Sequence, residues 1–222
     1  MSFVNISEVL IKYPHLSLID IRDEDAYKKD HIPTAINIPL QYNPDIKKDF
    51  LLSYKSQEVS DNLFLDIKHF EHLLSTNSNS DHPTFFYCQD GGFLSKALAY
   101  YFEQKGSNYS FISQGYKGFC REQQQFFNQN WKICLLTGLS GVGKTKILHA
   151  LQKGGQQVID LEKIANHRGS VFGKSTNSAP RSHLDAYHML WKKLLTLNPH
   201  EYIFIEQKSR TIGYFTLPST LL

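Results

Sequence analysis

The chain has little cysteine, no long apolar run and almost no net charge. Each shortage closes off a class of protein. Cys88, Cys120 and Cys134 are the only cysteines in 222 residues, and they show no framework spacing. That excludes a disulfide-stapled secreted domain. Free thiols fit the reducing cytoplasm, where at least one of them is open to a functional role. No apolar run approaches the ~20 residues that a membrane helix needs. The N-terminus lacks the basic-then-apolar pattern of a secretory signal, so neither a membrane partner nor export is expected. A net charge of +3 permits an anionic partner without demanding one. Internal repeats are absent, and low complexity is confined to 75–80 and 174–180, which read as loops. What remains is the composition of an ordinary soluble protein, long enough for one large domain or two small ones and expected to be a monomer.

The most informative stretch is Trp131 to Thr145. An apolar run of strand length, Ile133 to Leu136, leads into Gly138-Leu-Ser-Gly141-Val-Gly143-Lys144-Thr145, and helical spacing resumes after it. This is the phosphate-loop pattern in the context it needs, between a strand and a helix. A phosphate chain has to lie against backbone N–H groups, so side chains must stay clear. Gly138, Gly141 and Gly143 allow that approach and the positive φ angles of the loop. The helix that follows turns its free N–H groups and positive dipole end towards the anion. Lys144 adds a point charge, and the Thr145 hydroxyl can ligate magnesium on a nucleotide.

The first half alternates strands and helices. Leu16–Ile21, Ile36–Ile38, Thr84–Tyr87 and Tyr109–Ile112 read as strands. Asn5–Lys12, Asp25–Lys29, Ile67–Leu74, Leu94–Lys105 and Tyr116–Asn128 read as helices. Alternation of this kind predicts an α/β fold with a parallel sheet. Cys88 then stands at the carboxyl end of a strand, where such sheets bind ligands, ahead of a Gly-rich loop and a helix N-terminus. Loop N–H groups and a helix dipole would stabilise a thiolate or persulfide there. A buried cysteine that merely ends a strand fits the position equally well. Cys134 lies inside an apolar strand and reads as buried core. Cys120, on a helix beside Arg121, reads as structural.

The second half repeats the alternation. Gln157–Asp160 and Tyr202–Ile205 read as strands, and His183–Leu197 reads as an amphipathic helix with Leu184, Tyr187, Leu190, Trp191 and Leu194 inward. Asn166-His-Arg-Gly-Ser170 is dense in donors and reads as a loop. Glu206, at a strand end facing the phosphate loop, can hold metal-bound water, or can simply be an acidic strand terminus. No dedicated protein metal site is expected.

Several of these segments together resemble a known family. Leu18-Ile-Asp-Ile-Arg22, His31-Ile-Pro-Thr-Ala-Ile-Asn-Ile-Pro39, Cys88 with its Gly-rich loop and Gln114-Gly-Tyr116 resemble a rhodanese domain, which moves sulfur as a cysteine persulfide. Gly138 to Thr145, Val158-Ile-Asp-Leu-Glu162, Ala165 to Gly173, and Ile205-Glu206 with Ser209 to Gly213 resemble the second domain of the tRNA 2-selenouridine synthase family. The resemblance implies a rhodanese-like domain over 1–130 and a P-loop NTPase-like α/β domain over 131–222. It also implies replacement of sulfur by selenium in 2-thiouridine at the tRNA wobble position, U34. Selenophosphate would be the selenium donor, and geranylation from geranyl diphosphate a route to the selenated base. Cys88 would carry the chalcogen. A tRNA surface is expected at Arg168, Lys174, Arg181, Lys208 and Arg210.

Three departures from the family pattern stand out. Trp-Arg after the family's cysteine, and an Arg before its Ser, are here Gln89-Asp90 and Leu94, which disfavours an anion beside Cys88. Lys96 is the nearest compensating cation in sequence. An acidic pair after the strand-end Glu is here Gln207-Lys208. Family members also continue with a further, largely helical segment, so the second domain is expected to be incomplete, with an open sheet edge and loose packing. A plain persulfide sulfurtransferase with an accessory nucleotide-binding domain, and a non-catalytic tRNA-binding remnant, are the rival expectations.

Overall fold

A computed structural model describes residues 2–43, 63–77, 82–107, 109–167, 181–206 and 210–221. The chain divides into two compact units, Met1–Glu122 and Gln123–Leu222.

In the first unit, β1 (Ser2–Val4), β2 (Ser17–Asp20), β3 (Ile36–Asn37), β4 (Thr84–Tyr87) and β5 (Ser110–Ile112) form one parallel sheet in the order β1-β5-β4-β2-β3. The helices between them are α1 (Ile6–Lys12), α2 (Glu24–Lys29), α3 (Ile67–Asn77), α4 (Phe93–Gln104) and α5 (Gly115–Phe127), the last running on into the second unit. All four residues of β2 and the last three of β4 are buried, as parallel strands covered on both faces require. Phe86 anchors the core, with its ring centroid 5.7 Å from Phe102 and 5.4 Å from Phe111. Burial of each such side chain contributes ~1.5–3 kcal/mol. Asp23 caps α2 by accepting the Ala26 N–H at 2.8 Å, an arrangement typically worth ~1 kcal/mol. The sheet order decides where the unit can bind. From β2 the chain steps outward to β3, and from β4 it steps the other way to β5, so a crevice opens between the carboxyl ends of β2 and β4.

In the second unit, β6 (Lys132–Leu136), β7 (Gln157–Ile159) and β8 (Tyr202–Glu206) make a parallel sheet in the order β6-β8-β7. Its helices are α6 (Lys144–Lys153), α7 (Leu161–Ala165) and α8 (His183–Leu194). An antiparallel hairpin of β9 (Thr211–Ile212) and β10 (Phe215–Thr216) follows, then a 3-10 turn, Ser219–Leu221.

Here the structure corrects several expectations. Leu184 is 41% exposed, because it lies in the first, solvent-facing turn of α8 after the Ser182 cap. His188 is buried instead, with Nδ1 2.8 Å from Nε2 of Gln123, so two polar groups satisfy each other inside the core. Cys134 is half-buried rather than enclosed, because β6 is the outer strand and Ile133 to Leu136 are covered only in part. Phe215, Leu217 and Leu221 are buried, so these apolar residues are packed rather than uncovered.

Candidate functional site

Cys88 follows β4 directly and lies at the crevice. Its backbone is clamped: Cys88 O accepts the Tyr116 N–H and Gln89 O accepts the Lys117 N–H, both at 2.9 Å. The approach is so close that a Cβ on Gly115, at φ +57°, would sit 2.2 Å from Cys88 O. Only glycine fits there. The sulfur is 4% exposed as part of its residue and has two side-chain partners. Ser95, fully buried in the first turn of α4, donates its hydroxyl to Sγ at 3.0 Å. On the other side, Sγ–H points to Oδ1 of Asp90 at 3.9 Å, and the same Oδ1 accepts the Gly92 N–H at 2.9 Å. A loop N–H expected to face the thiol is thus taken up by a carboxylate.

The wall opposite comes from the end of β2. Arg22 is buried and grips Asp20 through Nε (3.0 Å) and Nη2 (2.6 Å). Its other donors reach Gln89 Oε1 at 3.2 Å and the Asp30 carbonyl at 2.8 Å, and its guanidinium stacks 4.1 Å from the Tyr116 ring centroid. Burial opposes the Arg22 charge, but the hydrogen bond and charge of Asp20 more than offset it, so the group's pKa is pushed above its ordinary value. A cavity of about 720 Å³ opens between these walls, lined by Arg22, Asp23, Tyr42, Cys88, Asp90 and Phe93 among others. Lys96 is exposed and does not line it. Arg22 is not among the site residues expected from the sequence. The available signal is Asp20-Ile-Arg22, with Arg22 two residues beyond the end of β2. Cys120 lies near Tyr116 on α5. Burial first, and the Asp30 charge in addition, push its thiol pKa up.

In the second unit, Gly138, Gly141 and Gly143 adopt φ of 141°, 84° and 92°, between β6 and α6. No atom lies within 4 Å of a Cβ built on Gly141 or Gly143, so the loop keeps open space beside its backbone. Lys144 folds back over the loop, with Nζ donating to the carbonyls of Gly138 (2.8 Å) and Leu139 (2.7 Å). Glu206 ends β8 opposite Leu136 of β6, which brings its carboxylate to α6. There it accepts the Thr145 hydroxyl at 2.7 Å and lies 4.0 Å from Lys144 Nζ. A hydroxyl and a carboxylate oxygen side by side are the donor set a hard divalent cation prefers. Among the described residues no group of three or more His, Cys, Asp or Glu could hold a metal by itself.

Of the five residues expected to contact tRNA, Arg168, Lys174 and Lys208 lie outside the described residues. Arg210 is exposed. Arg181 is tied to the end of α7, with Nη1 donating to the carbonyls of Lys163 and Ile164, both at 2.8 Å. It borders a cavity of about 280 Å³ together with His149, Lys163 and Lys193.

Comparison with known proteins follows the same division. Residues 7–122, more than half of the chain, match the rhodanese-like domain family. The chain belongs to the rhodanese-like family. Residues 131–222 match the tRNA 2-selenouridine synthase AAA domain. The tRNA 2-selenouridine synthase of Marinobacter nauticus is 29% identical over 218 residues, covering 92% of this chain and 58% of that protein. Its counterpart from Psychromonas ingrahamii is 27% identical over 222 residues, covering 96% and 58%. A solved N-terminal domain from Clostridium difficile 630 is 25% identical, with a TM-score of 0.40 over 55% of this chain and 98% of that one. The chain thus spans a little over half the length of the curated relatives it matches. No described helix is long and apolar enough to cross a membrane.

Proposed function

We propose that this chain takes part in replacing sulfur by selenium in 2-thiouridine at the tRNA wobble position, with Cys88 carrying the chalcogen and the phosphate loop holding a phosphorylated co-substrate. The observation that carries this reading is the pairing, in one chain, of a strand-end cysteine at a switch-point cavity with an open phosphate loop in a selenouridine-synthase AAA domain. Selenophosphate is the proposed selenium donor. Geranyl diphosphate, acting through a geranylated 2-thiouridine, or a nucleotide with magnesium is the proposed ligand of the loop.

Each residue has a role its surroundings support. The Gly138–Gly143 backbone leaves room for a phosphate chain, Lys144 can swing from two carbonyls onto it, and the N-terminus of α6 meets its charge. Thr145 and Glu206 would hold a magnesium ion, which would supply charge neutralisation on the phosphates. Arg210 and the basic rim around Arg181, with Arg168, Lys174 and Lys208, would meet tRNA phosphates, so affinity should fall as salt rises. A cytoplasmic monomer fits three free cysteines.

The test is direct. Purified chain, tRNA bearing 2-thiouridine and selenophosphate are incubated with and without geranyl diphosphate, and the digested nucleosides are read by mass spectrometry. Selenium is expected in the wobble nucleoside, and Cys88→Ser is expected to abolish it. Thiosulfate turnover at Cys88 that proceeds without any tRNA, and no selenated nucleoside, would replace this reading by a plain sulfurtransferase. tRNA binding with an inert Cys88 would leave a binding remnant.

A further inference from the structure

The cysteine loop carries Asp90 where the family pattern has Arg, and the surroundings of Sγ show what that does. Asp90 Oδ1 accepts the Gly92 N–H and stands 3.9 Å from Sγ on the donor side of the thiol, while Ser95 donates to the sulfur from the other side. Sγ therefore has a hydroxyl donor and a carboxylate acceptor already in place. The rest of the charge around it is accounted for among the described residues. β2 and the turn after it bring Asp20, Arg22 and Asp23, with the Arg22 charge held by Asp20. From α4 comes Ser95, and from the start of α5 comes the Tyr116 backbone N–H, which is spent on Cys88 O. Leu40, Tyr42, Leu65, Phe93 and Leu94 add an apolar wall. Among the described residues no unpaired cation lines this cavity, while the carboxylates of Asp23 and Asp90 do.

We propose that Asp90 is the proton acceptor for Cys88, and that this site takes its chalcogen from an uncharged organic hydropersulfide or its selenium analogue in preference to a small oxyanionic donor. The proposal rests on Cys88 being the chalcogen carrier and names its donor class. In the step, the Cys88 thiol proton passes to the Asp90 carboxylate. The sulfur electron pair attacks the terminal sulfur of R–S–SH, and the S–S bond breaks with its electrons going to R–S. That leaving group takes the proton back from Asp90 and departs as R–SH, leaving Cys88–S–SH. Atoms, electrons and protons balance without an outside oxidant or reductant. An R–S–SeH donor reacts in the same way and leaves Cys88–S–SeH. Asp90 borders the cavity and is open to it, so it can reach both the thiol and the departing group. An oxyanion such as thiosulfate would instead meet Asp90 and Asp23, with no free cation among the described residues to receive it.

The experiment uses the full chain and its Asp90→Asn and Asp90→Glu variants. Asn keeps the oxygen that accepts the Gly92 N–H but loses the charge and the proton affinity. Loading of Cys88 is followed by mass spectrometry with benzyl hydropersulfide and with thiosulfate, and alkylation is followed with iodoacetamide and iodoacetate. In Asp90→Asn, loading from benzyl hydropersulfide is expected to fall about a hundredfold, in the range of a lost proton acceptor. Loading from thiosulfate is expected to rise about fivefold, the effect of one screened charge at contact distance. The iodoacetate-to-iodoacetamide rate ratio should rise in parallel, and Asp90→Glu should restore most of the hydropersulfide rate. If the two donors rise or fall together in Asp90→Asn, Asp90 only shapes the loop and the proposal is wrong. If the alkylation ratio is unchanged, the charge is not felt at Sγ and it is wrong again. A Cys88 that no donor loads would overturn the carrier reading, and the donor preference with it, while the alkylation ratio would still show whether Asp90 acts on the thiol.

Discussion

The two units use the same device, a strand, a Gly-rich loop and a helix, and use it in opposite ways. After β4 the loop is closed. Its carbonyls are taken by Tyr116 and Lys117, and Gly115 touches it at a distance that tolerates no side chain. After β6 the loop is open, and Gly141 and Gly143 face space. The charges beside the loops repeat the contrast. Arg22 and Asp20 are 5% and 0% exposed and locked by a 2.6 Å contact, whereas Lys144 and Glu206 are 11% and 9% exposed but stand 4.0 Å apart. A loop that must hold one atom still is built into the core. A loop whose partners stand at arm's length, held by bonds that can be exchanged, has room to admit a ligand.

Substitutions in the closed unit should therefore act on stability, and those in the open unit on binding. The largest expected effect is from Arg22→Ala, which strands the buried Asp20 carboxylate. A loss of ~3–5 kcal/mol is expected in denaturant unfolding. Gly115→Ala should follow at ~3 kcal/mol, from positive-φ strain and the clash with Cys88 O. In the open unit, Lys144→Ala should weaken geranyl diphosphate or nucleotide binding by about ten- to a hundredfold in calorimetry, with unfolding changed by less than ~1 kcal/mol. If Lys144→Ala proved as destabilising as Arg22→Ala, the contrast would collapse. Gly141→Ala should cost only ~1 kcal/mol, for positive φ alone. The smallest effect concerns Cys120. Burial and Asp30 raise its pKa, so the neutral thiol persists to higher pH and its alkylation should set in at higher pH than that of a free thiol. Onset at or below the free-thiol pH would show that neither cause operates.

Sequence periodicity carried the long elements well, because α4, α5 and α8 have several turns in which apolar residues can recur, and β2 and β4 are short apolar runs between turn residues. It failed where an element is too short to have a period. β1 offers three residues, of which only Phe3 and Val4 are apolar, and it is a strand because β5 lies beside it. The β9–β10 hairpin has two residues on each side, and its one local signal was Gly213. For α7 the local signals lie at its two ends. Asp160 caps its start by accepting the Lys163 N–H, and Asn166 ends it in the left-handed region. At the candidate site, Cys88, the phosphate loop and Glu206 were legible because chemistry-bearing residues fell at strand ends. Arg22 was not, because its place depends on β2 and β4 lying side by side, which only the sheet order reveals.

The pairing of β1 with β5 has a consequence for biosynthesis. Ser2 and Ser110 are joined by a 2.8 Å hydroxyl contact across 108 positions of chain. Within the first unit β1 is made before the other four strands and is the last to find its neighbour, because β5 must be made and released before the sheet can close. Until then Phe3 and Val4 wait unpaired on a nascent chain. Contacts this distant slow folding and lengthen the time an edge stays exposed. Yield of the first unit should accordingly depend on translation rate and chaperone supply more than on its final stability.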